Sequence, residues 1–301
     1  MEPVGLIGLG IMGRPMAENL LSHGFPLFVH DADPAAVDVL VSRGAAAACP
    51  GEIGEHCGIV VLMLPNGDVS REVLFGEGGA AASLRAGSLV VDMGSITPQQ
   101  AKAAAEELKA RGCGYLDAPV SGGEPGAVAG TLSIMAGGSE RDFARAKPLF
   151  EAVGSSAVRI GGVGCGSTAK LVNQVVVNLT IAAVSEGFVL AAGAGVDPGT
   201  VYQAIRGGLA ASRVLDDKLP KILRRDFTPG GKLSINHKDI KNALDTARSL
   251  GVPMPFTSQL MEVMQALKAH GRMGDDHCGI VRYFEELANV QVGAEEHRED
   301  C

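Results

Sequence analysis

Apolar positions follow two different rhythms along the chain, and the change comes near residue 162. Before it, short strand-like runs at residues 4–7, 27–30, 59–64, 88–92, 115–120, 131–136 and 157–160, of which 59–64 is apolar throughout, alternate with segments of helical period. Unbroken apolar runs of that length suit parallel strands buried on both faces. Helices are predicted between them over residues 14–23, stopped by Gly24, over 35–43, and over 98–110, opened by Pro98 and stopped by Gly112. A further helix starts at Ser139, with Asp142 three residues on.

The second rhythm opens with the longest apolar stretch. From Ser167 to Ala192 only Lys170 and Glu186 carry formal charge, while Leu171, Val175, Leu179, Ala182, Ala183 and Leu190 recur at helical spacing. A helix apolar nearly all round is expected to be buried, and this one would run roughly 40 Å, long enough to join two halves of a protein. Lys170, Asn173 and Gln174 share one face near its start, because positions i, i+3 and i+4 are neighbours on a helix. Strand signals then fade. Asp197-Pro198 opens a helix through Val201, Ala204 and Ile205, and further amphipathic helices are marked by Ile240 to Leu250, by Leu260 to Leu267, and by Ile280, Phe284 and Leu287. The expected organisation is an α/β domain over 1–162, an all-helical domain over 163–292 beginning at the glycine-rich seam 161–166, and a polar, disordered tail over 293–301.

Composition narrows the class. With 301 residues, 46% of them hydrophobic, the chain can bury a large core. A net charge of −8 argues against nucleic acid as a partner, so a small anionic substrate would be held by local donors. The Asn, Thr and Ser residues in the long stretch argue against a membrane span, and the N-terminus lacks the pattern of a signal peptide. Cys49, Cys57, Cys113, Cys165, Cys278 and Cys301 show no CxxC and no metal-ligand spacing. A cytoplasmic protein with free thiols and no metal is expected.

The chemistry begins in the first turn. Gly8-Leu9-Gly10-Ile11-Met12-Gly13 directly follows the first strand and opens the first helix. In G-x-G-x-x-G the glycines permit the turn, let a pyrophosphate approach the backbone and let helix pack on strand, with phosphates on the helix N-terminus. Asp31 ends the next strand, 18 residues past Gly13. A carboxylate there accepts from both ribose hydroxyls of NAD and repels the 2′-phosphate of NADP, and no arginine follows until Arg43. NAD is therefore the expected cofactor, with NADP possible; Asp31 and Asp33 can also simply cap the next helix. Leu64-Pro65-Asn66 and Ser95 leave later strand ends, where an open α/β sheet binds ligands, though ordinary turns use the same residues.

Ser121-Gly122-Gly123 follows another strand end, and a hydroxyl beside two glycine N–H groups can hold a carboxylate. A nicotinamide cofactor implies hydride transfer, which needs a proton donor at the developing oxyanion. Lys170 is the candidate, its pKa expected to fall on burial, with Asn173 and Gln174 beside it. A lysine snorkelling from a first helical turn is the other reading of the same residue. His237 and His277 are rival acids, but both sit near helix starts, where a capping or surface role is more ordinary.

GLIGLGIMGRPMAENL, DAPVSGGEPGAVAGTLSIMAGG, GCGSTAKLVNQ and NHKDIKNAL, in that order, resemble the motifs of the β-hydroxyacid dehydrogenase family, and the resemblance extends to Val292. It implies a Rossmann domain followed by a helical domain of the 6-phosphogluconate dehydrogenase type, joined by the long helix. It also implies Lys170 as the catalytic residue and Ser121, Gly122 and Gly123 at the substrate carboxylate. Ser95 and Lys238 would contact the cofactor, and Asp239 would help place Lys238. Many members carry two asparagines where this chain has Asn173-Gln174, which leaves open which amide meets the substrate. The implied activity is NAD(P)-dependent reduction of a small 3-oxo acid by a dimer or tetramer. A dehydrogenase of another β-hydroxy acid, or a non-catalytic cofactor-binding protein, are the alternatives.

Overall fold

The computed structural model describes residues 2–293, so the tail expected over 293–301 lies outside the described residues apart from Gly293. The chain forms two compact units that divide between Lys170 and Leu171. The first holds nine strands: β1 (Val4–Ile7), β2 (Leu27–His30), β3 (Ala46–Ala47), β4 (Ile59–Leu62), β5 (Leu89–Asp92), β6 (Gly114–Asp117), β7 (Val120–Ser121), β8 (Leu132–Gly137) and β9 (Gly154–Gly161). Between them run α1 (Gly13–Ser22), α2 (Pro34–Val41), α3 (Pro50–His56), α4 (Gly67–Phe75), α5 (Pro98–Lys109), α6 (Gly123–Ala129) and α7 (Glu140–Val153).

The strands lie in the order β3-β2-β1-β4-β5-β6-β8-β7, with β9 on β8. From β3 to β6 every pairing is parallel; β8 runs antiparallel to β6 and β7. The 3-2-1-4-5-6 part is the dinucleotide-binding order, whose ligand crevice lies where the order reverses, beside β1 and β4. Its strands are apolar because both faces are covered. Val4, Leu6, Val61, Val91 and Leu116 enter one apolar core with Met16 and Leu20 of α1, while Ile7, Val60, Leu62 and Val90 enter the other with Ile53, Ala101 and Leu108.

The second unit is helical: α8 (Cys165–Gly193), whose first turn belongs to the first unit, α9 (Pro198–Ile205), α10 (Arg213–Leu223), α11 (Leu233–Ser249), α12 (Pro255–Ala269) and α13 (Val281–Ala288). Four of the five later helices match the expected segments. The periodicity missed α10, whose apolar face is interrupted by buried Lys218 and by Pro220 inside the helix. It also missed α3, α4 and α6, of seven to nine residues each.

The long helix differs from expectation in its burial. Leu171, Asn178, Ile181, Ser185 and Phe188 are buried, but Val172, Val176 and Leu190 stay 60%, 59% and 74% exposed. An apolar sequence fills a core only as far as neighbours reach, and on this helix one stripe is covered and another is not. By length and composition alone α8 is also sufficient to cross a membrane; its buried stripe, which includes Asn178 and Ser185, is part of the helical unit's core.

Candidate active site

The glycine turn after β1 is built as its spacing requires. Gly8 has φ +99°, and a Cβ on Gly13 would lie 1.8 Å from the Gly8 carbonyl oxygen, so neither position admits a side chain. A Cβ on Gly10 would meet nothing within 4 Å. That open backbone is what an approaching pyrophosphate needs, and Met12, at the N-cap of α1, places no side chain on the helix's first N–H groups. Asp31 stands at the end of β2. One of its oxygens accepts the Leu9 N–H at 2.6 Å and the other the Asp33 N–H at 2.8 Å, which fixes the carboxylate against the glycine turn.

The next two loops come to the same strand ends. A Cβ on Gly8 would lie 2.4 Å from the Met63 carbonyl oxygen, and one on Gly94 would lie 2.9 Å from that of Leu64. Leu64 and Ser95 are half-buried, and Pro65 is exposed. Asn66 caps α4, its Oδ1 accepting the N–H groups of Asp68 and Val69 at 3.0 Å each. Behind this rim, Gly94 donates its N–H to Asp92 at 2.9 Å, and burial pushes the Asp92 carboxyl up to about 6.

Lys170 meets the Ser-Gly-Gly turn. Its Nζ donates to the Val120 carbonyl at 2.8 Å, one residue ahead of Ser121. Gly122 and Gly123 both take positive φ, +140° and +61°, which turns the chain sharply between β7 and α6. Asp117, wholly buried at the end of β6, accepts the N–H of Gly164 at 2.8 Å and that of Ser167 at 2.7 Å. Nothing in the spacing of DAPVSGG shows that role, because its partners are backbone groups 47 and 50 residues away.

On the helical side the two amides divide. Gln174 is buried; its Nε2 donates to Asp239 Oδ2 at 2.6 Å and Asn236 Oδ1 at 3.3 Å, and its Oε1 accepts from Asn173 at 2.9 Å. Lys238 Nζ lies 3.2 Å from the other Asp239 oxygen. Asn178, one turn on, donates to the Gln174 carbonyl at 2.9 Å and to Asn236 at 3.1 Å. Asp239 thus ties Lys238 to the amide pair, and Asn236 and Asn178, which sequence reasoning missed, complete the network. Of the rival acids, His237 is on the exposed side of α11 beside Gln265, and burial pushes His277 down to about 4, which leaves it neutral near pH 7.

The strand order and glycine turn define a Rossmann-type dinucleotide-binding domain. Residues 3–162 match the NAD binding domain of 6-phosphogluconate dehydrogenase, and residues 164–284 match the family described as NAD-binding of NADP-dependent 3-hydroxyisobutyrate dehydrogenase. The chain is 43% identical to the 2-hydroxy-3-oxopropionate reductase of Escherichia coli K12, over 96% of this chain and 99% of that protein. It is 36% identical to the 3-sulfolactaldehyde reductase of the same organism, over 98% and 97%. Among solved structures, the Mycobacterium tuberculosis 3-hydroxyisobutyrate dehydrogenase superposes with a TM-score of 0.87 at 29% identity, covering 94% of this chain and 98% of that one. The chain belongs to the β-hydroxyacid dehydrogenase family, NAD(P)-dependent oxidoreductases that act on the CH–OH group of hydroxy acids.

Proposed function

We propose that this protein reduces tartronate semialdehyde (2-hydroxy-3-oxopropanoate) to D-glycerate, preferring NADH, with Lys170 as the general acid. The observation that carries the chemistry is the Lys170 Nζ held on the Val120 carbonyl, immediately before Ser121-Gly122-Gly123. The choice of substrate rests on the 43% identity to the E. coli reductase along nearly the full length of both chains.

When bound, the reduced nicotinamide supplies the hydride to the aldehyde carbon. Lys170 gives a proton to the oxygen as charge develops there, and in the reverse direction takes the hydroxyl proton. The Ser121 hydroxyl and the Gly122 and Gly123 N–H groups grip the carboxylate. Asn173 is the amide that reaches the substrate, because Gln174 is already bonded to Asp239 and Asn236 behind it. Gly8, Leu9, Gly10, Ile11, Met12 and Gly13 receive the pyrophosphate, and Leu64, Pro65, Asn66, Ser95 and Lys238 line the cofactor. Asp31 selects NADH: with one N–H on each oxygen it keeps lone pairs for the ribose hydroxyls and presents its charge to a 2′-phosphate. The enzyme works in the cytoplasm and as a homo-oligomer; the exposed Val172, Val176 and Leu190 on α8 support the self-association.

Two measurements test this. Lys170→Ala should lower kcat by roughly 10²- to 10⁴-fold, the range of general acid catalysis, with NADH affinity within about twofold of the parent; a variant that keeps most of its turnover overturns the mechanism. In a kcat/KM panel with NADH and NADPH side by side, tartronate semialdehyde with NADH should rank first. The reductive panel should include 3-sulfolactaldehyde and succinic semialdehyde, because a 36% identical relative acts on 3-sulfolactaldehyde, and an oxidative panel with NAD+ and NADP+ should set D-glycerate against 3-hydroxyisobutyrate and L-threonate. First rank for any of these overturns the substrate, and first rank for NADPH overturns the role of Asp31.

A further inference from the structure

The geometry points to Asp117 as a positioning residue for Lys170: its carboxylate fixes the first turn of α8, and through that turn the place of the lysine's ammonium group. This rests on the reading of Lys170 as the proton donor. Two tethers run between the same two segments. Asp117 holds Gly164 and Ser167 by their N–H groups, and three residues further along each segment Val120 holds Lys170 by its Nζ. The lysine is thereby fixed at both ends, its backbone by the carboxylate and its tip by the carbonyl.

The joint has no slack. A Cβ on Gly166 would lie 2.2 Å from the Asp117 carbonyl oxygen and 2.4 Å from that of Met135, and a Cβ on Gly137 would lie 2.5 Å from Asp117 Oδ1. Backbone packs on backbone there, so the start of α8 has one position as long as the carboxylate receives its N–H donors. The charge suits the role, since a carboxylate at a helix N-terminus interacts favourably with the aligned peptide dipoles and makes charge-assisted hydrogen bonds. Both Asp117 oxygens are engaged by the helix start, Oδ1 by the Gly164 N–H and Oδ2 by that of Ser167. Proton transfer is sensitive to such placement: a shift of about 1 Å at a reacting group can cost on the order of 10²-fold in rate.

The experiment compares Asp117→Asn, Asp117→Ala, Lys170→Ala and the Asp117→Asn/Lys170→Ala double variant. It reads kcat, KM, NADH affinity by fluorescence, and melting temperature. Asparagine keeps one acceptor and loses the charge, so kcat should fall roughly tenfold in Asp117→Asn and on the order of 10²-fold in Asp117→Ala. In Asp117→Asn, KM and NADH affinity should stay within about twofold. In the Lys170→Ala background, followed at high enzyme concentration, Asp117→Asn should cost nothing further, because a residue acting through the lysine has nothing left to position. An unchanged kcat in Asp117→Asn overturns the proposal, as does an equal loss in both backgrounds. So does a loss explained by the unfolded fraction. If Lys170→Ala is itself active, the reading of the lysine fails instead, and the two failures are separate.

Discussion

Two buried carboxylates, one in each unit, have similar surroundings and opposite electrostatics. Asp117 and Asp276 are both wholly inaccessible to solvent and both accept backbone N–H groups: Asp117 those of Gly164 and Ser167, Asp276 those of Gly230, Gly231 and Cys278. Burial pushes Asp117 above the ordinary carboxylate range, and its two N–H donors offset that only in part. Burial works on Asp276 in the same direction. There the Cys278 N–H together with neighbouring His277 and Lys218 reverses it, and the carboxyl is held well below the usual range. Asp276 has a third N–H donor and cations beside it. Lys218 Nζ lies 3.3 Å from Asp276 and Lys221 3.8 Å. Burial disfavours the Lys218 ammonium, yet Asp276 and Asp217 raise its pKa above that of a free lysine. Two N–H donors leave buried Asp117 above the ordinary range, whereas the Cys278 N–H, His277, Lys218 and the Gly230 N–H together hold Asp276 below it. Asp276 braces α10 against the turn before α13, while Asp117 holds the first turn of the helix that bears Lys170.

Asp276→Ala breaks the comparison most severely. It leaves Lys218 buried beside only the exposed Asp217 and strips three N–H groups of their acceptor. Removing one partner of a buried ion pair costs about 3–5 kcal/mol. Urea unfolding should show that loss in the helical unit, with the Rossmann unit's own transition unmoved. A loss below about 1 kcal/mol would show that neither the ion pair nor the three N–H bonds of Asp276 hold the helical unit together.

Neither carboxylate's role is visible in the sequence, for a physical reason. The strands of the first unit were legible because a strand buried on both faces has to be a continuous apolar run, as 59–62 and 89–91 are, and glycine or proline marks where it stops. Lys170, Asn173 and Gln174 were legible as one helical face, since spacing alone decides that. What Asp117 bonds is backbone, which every residue carries, so no pattern of side chains announces the contact. Helix α10 was hidden for the related reason that Lys218 occupies a position a periodicity search assigns to solvent. The division between Asn173 and Gln174 needed Asp239 and Asn236, more than 60 residues away, to be seen beside them.

The smallest effect, and the most discriminating, is an opposition in pH dependence between the two units. In the first unit Asp92 has its pKa raised by burial to about 6. Between the unfolded value near 3.8 and about 6 the folded unit binds this proton and the unfolded chain does not, so stability falls as pH rises, by about 3 kcal/mol across the window. Asp117, also raised, acts in the same sense. In the second unit burial depresses His277 to about 4 from 6.5, and between those values the unfolded chain holds the proton while the folded unit does not. Stability there falls as pH drops, again by about 3 kcal/mol. Asp276 adds to that only below about pH 4, where the unfolded carboxyl protonates first. Hydrogen exchange at pH 4.5 and 6.5, corrected for intrinsic exchange rates, should therefore move the two units in opposite directions. Slow amides of β4 and β5 gain protection at the lower pH and those of α10 and α12 lose it. Asp92→Asn should flatten most of the first response and leave the second intact. Parallel shifts in both units would mean that burial does not move Asp92 and His277 in the opposing senses on which the two responses rest.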